Sequence, residues 1–519
     1  MNVAQILCDR AASSGDQPAI IDYPRGQVRT TSFRELADAA AQAAGQLQAA
    51  GLRPGDAVLV LVPMSAELYI ALSALFRLGL VAMFLDPSAG RKHIDSCCAL
   101  NPPLAFIGSP AAHALRCLSP GLCRIPRKFT TRGFIPGATR LIAPGFTGAV
   151  PRLASCTATN PALIRFTSGS TAEPKAAVRT HGFLREQQRV IERSLALQPG
   201  EVDFSTLPIF VLANLASGVT SILPNADLRA PARVNPVPVL QQFQRHRPDR
   251  VSASPALLAR LAEHCAATGE TLGSLKRVFT GGAPVFPRLL DQLQAMAPAA
   301  EIVAVYGSTE AEPIAKISLN EITAQDRQGM LSGRGLLSGF PDPDIQLRIL
   351  REGARGMDGA VSANAFGAAS LSPGEFGEIV VNGPHVQPGY LNGIGDAETK
   401  LSVDGRTWHK TGDAGYLDER GRVWLLGRSR ERIQDAAGVI YPFQVECAAQ
   451  QDPAVRRSAL IAWQGQRWLV VEAVQGLTPQ DLTARLAWAR LDQIRFVRRI
   501  PVDQRHNAKV DYPALRRML

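Results

Sequence analysis

The sequence predicts an α/β protein: a large amino-terminal domain of mixed and parallel sheets flanked by helices, residues 1–427, then a small α+β domain, residues 428–519. Three observations predict it. Helix and strand patterns alternate along the first 150 residues, short apolar runs read as strands covered on both faces, and a charge-dense break near residue 430 sets off a terminal piece. A chain of 519 residues that is 46% hydrophobic and 19% charged has ample material for a large core. That composition excludes a disordered or fibrous chain.

Each element follows from local pattern. Phe33 to Ala50 carries Leu36, Ala40, Ala43 and Leu47 at helical spacing, with Gly51 placed as a cap. Val58 to Val62 is a continuous apolar strand; a helix over 66–77 and strands over 80–85 and 104–107 repeat the cycle. The stretch Leu68 to Leu85 is the most apolar in the chain, but Arg77 splits it and Gly79 opens a strand-like run, so a buried helix feeding a strand is expected and no membrane span. Strand patterns recur at 277–280, 302–305 and 377–381. Residues 352–374 are rich in Gly, Ala and Ser and read as a surface loop. Val423 to Leu426 is strand-like and Gly427 to Ile433 packs four charges into seven residues, which places the boundary. Strands at 458–462 and 468–473 and a helix near Tyr512 to Leu519 complete the small domain.

Charge and cysteine use narrow the function classes. The net charge is +11, with eight lysines against 48 arginines, yet no dense basic run interleaves with aromatics, so no nucleic-acid partner is expected. The eight cysteines form no C-x-x-C pair; Cys97 and Cys98 are adjacent, and Cys117 and Cys123 lie six apart. Reduced thiols and a cytoplasmic setting fit better than a disulfide framework or a zinc site. The amino terminus lacks a basic start followed by an apolar block, so no secretory signal is expected.

Four segments carry chemistry. Phe166 to Lys175 (FTSGSTAEPK) joins Thr167, Ser168, Gly169, Ser170 and Thr171 to a lysine in a turn-prone stretch. Hydroxyls and open backbone N–H groups make an anion-binding concavity, and Lys175 adds a point charge. It is not a Walker loop, because no G-x-x-x-x-G-K-[ST] spacing exists. Tyr306-Gly307-Ser308-Thr309-Glu310 follows a strand; a ring can stack on a purine, a hydroxyl can bond a phosphate and a carboxylate can hold Mg²⁺. Thr411-Gly-Asp413 precedes Leu417 to Arg422, which alone reads as a surface hairpin turn. Pro501 to Lys509 lies near the carboxy terminus.

Together these segments resemble the adenylate-forming superfamily of acyl- and aryl-CoA synthetases, luciferases and peptide-synthetase adenylation domains, whose phosphate loop reads roughly T-S-G-S-T-G-x-P-K-G. The resemblance runs from the amino-terminal helices to Lys509, in family order, and departs from it at Ala172, Ala176 and Ala508, where glycine is usual. It implies ATP and Mg²⁺, with Tyr306 on the adenine, Thr309 on the α-phosphate and Glu310 on the metal. It further implies that Gly281, Gly282, Ala283 and Pro284 line the adenine, that Asp413 accepts from the ribose hydroxyls and that Arg428 supports that site. Arg430 falls at the hinge about which the family's small domain moves, and Lys509 is the adenylation lysine.

The implied reaction is attack of a carboxylate on the α-phosphate of ATP, driven by positioning and preorganised cations without a covalent protein nucleophile. His181, His409, His506 and the cysteines are therefore expected to be structural. A Ser-His-Asp triad is not expected either, since no G-x-S-x-G elbow surrounds Ser170. Leu207 to Leu212, with Phe210, sits where the family gates its acyl pocket and points to an apolar acid. Transfer to CoA or a carrier-protein thiol is the first expectation, with Ala437 to Ile440 admitting the pantetheine arm. Within the superfamily Asp203 to Phe210, Leu223 to Asp227 and Pro501 to Lys509 look most like the olefin-pathway β-lactone synthetases, so ring closure of a β-hydroxy acid is the alternative. A nucleotide-binding relative without turnover, suggested by the three alanines, is the third.

Overall fold

The computed structural model describes residues 1–142, 148–167, 174–354, 357–474, 478–503 and 508–519. The chain forms two compact units, Met1–Asn225 with Gly389–Asp396, and Ala226–Pro388 with Ala397–Leu519.

The first unit is the parallel α/β structure the alternation predicts. Its seven-stranded sheet runs Thr139–Arg140, Arg127–Thr130, Ala105–Gly108, Ala57–Leu61, Val81–Phe84, Pro161–Thr167 and Lys175–Thr180, and only the last pairing is antiparallel. Helix Phe33–Ala49 starts on a capping box between Ser32 and Glu35, and Gly51 follows at φ +79°. Its predicted stripe of Leu36, Ala40, Ala43 and Leu47 is buried. The apolar stretch resolves into helix Ala66–Arg77 and strand Val81–Phe84, turned by Gly79 at φ +65°. Among the described residues no helix is long and apolar enough to cross a membrane.

The second unit is dominated by one sheet that changes character along its width. Strands Arg250–Ala253, Arg277–Gly281 and Glu301–Ser308 are parallel. From there Ala311–Ser318, Leu336–Pro341, Val423–Arg428, Arg406–Leu417, Gly377–Asn382 and Gln346–Leu350 continue in antiparallel pairs. Two of these pairs, Glu301–Ser308 with Ala311–Ser318 and Arg406–Leu417 with Val423–Arg428, are hairpins closed by a turn, which parallel strands cannot be. Residues 428–519 add their own three-stranded sheet, Val455–Trp463, Gln466–Ala473 and Gln493–Val497, around Val445, Leu460, Leu469, Val471 and Leu482. Arg288 Nη1 donates to the Asp452 carbonyl at 2.9 Å, and Gln444 Nε2 to the Gly333 carbonyl at 2.8 Å, holding this segment to the rest of the unit.

Two sequence expectations are corrected. Residues 352–374 are not only a loop: Gly359–Val361 pairs in parallel with Leu401–Val403, and Ala363–Ala369 is a helix capped by Ser362. Phe366 packs against Trp408 with ring centroids 4.8 Å apart, in a buried cluster with Val361, Val380, Leu401 and Val403, so tertiary packing overrides a run of small residues with little periodicity. The turn after Leu417 is the expected hairpin, with Glu419 and Arg420 exposed at its tip, but its base is not at the surface. Asp418 and Arg422 are buried, and Arg422 pairs with both Asp418 and Asp326.

Candidate functional site

In the second unit the site is built at the end of strand Glu301–Ser308. The neighbouring strand end Gly281 lies opposite Val305, and a Cβ on Gly281 would stand 2.5 Å from the Val305 carbonyl oxygen. Only glycine fits that approach. Gly282 follows at φ +83°, so Gly281, Gly282, Ala283 and Pro284 peel away beside Tyr306 before helix Pro287–Met296 begins. The Tyr306 hydroxyl donates to Asp413 Oδ2 at 2.9 Å, joining residues 107 positions apart. Burial first, then the Asp413 charge, pushes the Tyr306 hydroxyl well above its ordinary pKa, so it stays a donor.

Asp413 is held from three sides. It lies opposite Arg428 across the antiparallel strands, and Arg428 Nη1 approaches Asp413 Oδ1 to 3.3 Å while donating to the Thr411 carbonyl at 3.0 Å. The Asp413 N–H donates to Thr411 Oγ1 at 3.1 Å, and that hydroxyl donates to the Ile379 carbonyl at 2.8 Å. Gly412, at φ +71°, turns its N–H to Glu378 Oε1 at 3.2 Å. A carboxylate offers about four lone-pair positions. One faces Tyr306, whose hydroxyl donates to it, and one faces Arg428.

Thr309 and Glu310 form the turn between Glu301–Ser308 and Ala311–Ser318, where Gly307 passes close to the Ala311 carbonyl. The Glu310 N–H donates to Ser308 Oγ at 3.2 Å, and the Gln387 N–H donates to the Glu310 carbonyl at 2.7 Å. Among the described residues no group of three or more His, Cys, Asp or Glu side chains could hold a metal by itself. A lone carboxylate of this kind suits Mg²⁺, which binds through one or two carboxylates together with phosphate oxygens and water.

Lys509 follows the unit's last turn. Its N–H donates to Asp503 Oδ1 at 2.9 Å, and the Asp503 N–H returns to the Lys509 carbonyl at 2.9 Å. Burial, then the Arg428 charge, lowers the Lys509 pKa, while Asp413, Asp503 and Glu310 oppose the shift. Lys509, Asp413, Arg428 and Glu310 therefore share one electrostatic neighbourhood. Helix Tyr512–Met518 anchors the segment: the Tyr512 hydroxyl donates to Glu446 Oε1 at 2.9 Å, and Arg516 pairs with Glu431 at 2.5 Å. Burial pushes Glu446 up to about 7. Arg430 contacts Glu431 at 3.4 Å.

The first unit holds the other predicted residues. Strands Pro161–Thr167 and Lys175–Thr180 form a hairpin with Thr167 and Lys175 paired at its end. Ser168, Gly169, Ser170, Thr171 and Ala172 lie outside the described residues. The Lys175 side chain runs against Gly395, where a Cβ would come within 2.6 Å of Lys175 Cδ. Ala176 does not have positive φ, so alanine costs nothing conformationally there. Phe210 is buried in helix Pro208–Ser217. His181 accepts from the Val3 N–H at 3.2 Å, a structural contact, and His506 lies outside the described residues. Sequence reading missed Glu378, Lys400 and the surroundings of His409, which strand pairing brings beside the site.

Comparison with known proteins follows this geometry. The family described as AMP-binding enzyme matches residues 7–391. An olefin beta-lactone synthetase of Stenotrophomonas maltophilia (strain K279a) is 33% identical over 531 aligned residues, covering 97% of this chain and 93% of its own. The amide bond synthetase McbA from Marinactinospora thermotolerans superposes with a TM-score of 0.81 at 22% identity, over 100% of this chain and 99% of that one. O-succinylbenzoate coenzyme A synthetase (MenE) from Bacillus subtilis, in complex with ATP and magnesium ion, gives 0.77 at 22% identity, over 99% and 98%.

Proposed function

The chain belongs to the AMP-binding enzyme family as an AMP-forming acid ligase, and from that premise we propose that it activates a β-hydroxy carboxylic acid with ATP and closes it to a β-lactone. In the first step a carboxylate oxygen bonds to the α-phosphorus and the bond to the β-phosphate breaks, so pyrophosphate leaves with the electron pair. In the second the β-hydroxyl oxygen bonds to the acyl carbon and AMP leaves, the hydroxyl proton passing to solvent. The observation that supports nucleotide binding is the Asp413 clamp, the carboxylate held between the Tyr306 hydroxyl and Arg428 at the end of strand Glu301–Ser308. Closure, and not thiol transfer, is favoured by the relative at 33% identity.

Residue roles follow from the same geometry. Tyr306 and Gly281 to Pro284 flank the base, Asp413 takes the ribose hydroxyls and Arg428 holds Asp413 in place. Thr309 and the segment Thr167 to Lys175, through its hydroxyls and its lysine, bind phosphates. Glu310 would hold Mg²⁺, which supplies charge neutralisation of the phosphates. Lys509 meets the charge that grows on the α-phosphate oxygens. Residues 428–519 move as a domain about Arg430, bringing Lys509 to and from the reaction.

Pyrophosphate release from a panel of acids, with and without CoA, tests the reading. Release that needs no thiol and occurs only with 3-hydroxy acids supports closure; release that yields a CoA thioester assigns the thiol fate instead. No release with any acid removes the catalytic assignment. Asp413→Ala should weaken ATP binding by about 10- to 100-fold in a calorimetric titration, the value of one or two hydrogen bonds to a charged group. Equal affinity in the variant would take Asp413 out of the nucleotide site.

A further inference from the structure

Strand Arg406–Leu417 parts from its neighbour Gly377–Asn382 at the place where it carries Asp413. Val380 lies opposite Lys410 and Glu378 opposite Ala414, so Ile379 faces three residues, Thr411, Gly412 and Asp413. A regular antiparallel ladder sets one residue there, and extra residues bend a strand and re-aim its side chains. On the other edge the pairing with Val423–Arg428 is kept, with Asp413 opposite Arg428 and Ala414 opposite Gly427. Asp413 thus sits on a bulge that has left one neighbour and stayed with the other.

A bulge gives up ladder bonds, and its backbone groups must find other partners. Side chains supply them here. Thr411, which is buried, donates from Oγ1 to the Ile379 carbonyl at 2.8 Å and accepts from the Asp413 N–H at 3.1 Å. Arg428 Nη1 donates to the Thr411 carbonyl at 3.0 Å. Gly412 stands between them at φ +71°, and its N–H donates to Glu378 Oε1 at 3.2 Å. The strand that the bulge departs from therefore keeps a side-chain hold on the bulge's middle residue. Tyr306 and Arg428 meet the Asp413 carboxylate itself, but the backbone it hangs from is set by the bulge.

We propose that Glu378 is a positioning residue for nucleotide binding: by accepting from the Gly412 N–H it holds the bulge that presents the Asp413 carboxylate to the ribose hydroxyls. The inference rests on the assignment of Asp413 to the ribose made above. Glu378 acts through Gly412 and Asp413, so its loss falls on the ribose hydroxyls and spares the contacts to base and phosphates. Its charge is a separate matter. Burial first pushes the Glu378 carboxyl up, Glu352 and Asp413 add to the shift, and Lys410 and the Gly412 N–H oppose it. Removing that charge changes the field on every nucleotide alike, so a ratio of two nucleotides isolates the hydrogen bond.

Calorimetric titration of the full chain with ATP and with 2′,3′-dideoxy-ATP, both with Mg²⁺, reads this without turnover. The parent chain binds ATP more tightly, and the ratio of the two affinities measures the ribose hydroxyls. In Glu378→Ala that ratio falls about tenfold, the scale of one hydrogen bond to a charged group, while 2′,3′-dideoxy-ATP binds no more weakly than to the parent chain. Glu378→Gln, which keeps an acceptor oxygen without the charge, retains most of the ratio. A folded Glu378→Ala with the parent's ratio overturns the proposal, as does a loss shared equally by both nucleotides, which marks a general structural role. Glu378→Gln losing as much as Glu378→Ala overturns it too, because the acceptor is still there. Should Glu378→Ala show no cooperative melting transition, Glu378→Leu takes its place and the same results decide. A parent chain that binds both nucleotides equally sinks the assignment of Asp413 to the ribose instead, so the two failures are distinguishable.

Discussion

Lys509→Ala is expected to slow acid-dependent pyrophosphate release by about two to three orders of magnitude, the cost of removing one preorganised donor from a developing oxyanion. ATP affinity should change only a few-fold, because the proposed contacts to base and ribose are made by Tyr306 and Asp413, which are joined to each other and not through Lys509. The pH dependence has a definite sign. The ammonium is the working form, so kcat/KM falls as pH rises through the Lys509 pKa. Burial and Arg428 set that pKa below the ordinary 10.5, so the decline begins at lower pH than an exposed lysine would give. A variant with undiminished release would remove Lys509 from the reaction; a decline unchanged by Lys509→Arg would reassign the titration to another group.

Arg422→Ala is expected to be the most damaging substitution for stability among those away from the reacting groups. The Arg422 side chain is 7% exposed and donates to Asp326 at 2.9 and 2.7 Å and to Asp418 at 2.8 Å. Trp424 Nε1 also donates to Asp418 Oδ2 at 3.1 Å. Truncation leaves two carboxylates buried without their cation, a loss of about 3–5 kcal/mol. It also unties helix Ala324–Leu331 from the hairpin whose strands carry Asp413 and Arg428. Burial works against ionisation of Asp326, but Arg422 and Thr323 outweigh it and hold the group at about 2. A depressed carboxylate stabilises the fold above its unfolded pKa and loses that contribution as pH falls through the folded value. The deficit of Arg422→Ala should therefore be full at neutral pH and shrink between pH 4 and about 2. Thermal melting of both chains across that range checks it, and a deficit independent of pH would contradict the ion-pair account.

The parallel half of the fold was legible because its signals are local. Leu36, Ala40, Ala43 and Leu47 announce their helix, and Ala57–Leu61 announces a strand buried on both faces. What escaped depends on contacts far apart in sequence. Helix Ala363–Ala369 exists because Phe366 finds Trp408, and strand Gln493–Val497 alternates too weakly, with Arg495 exposed, to stand out from the charges around it. The site divides the same way. Tyr306 sits in a run of residue types suited to a nucleotide, while Asp413, Arg428 and Lys509 could be named only through the resemblance to the adenylate-forming superfamily. Glu378 and Lys400 sit in no such run; one accepts from the Gly412 N–H and the other donates to the Gln387 carbonyl, and only strand pairing brings them there. Arg422 looked like turn chemistry because its partner Asp326 is 96 residues away.

The close passage at residue 281 has an evolutionary corollary. With the Val305 carbonyl oxygen 2.5 Å from where any side chain must begin, hydrogen is the largest substituent that fits without displacing a strand. Every amino-acid substitution at that position adds atoms where there is no room. Variation in the surrounding sheet has to go around it, so the edge proposed to take the base keeps its spacing.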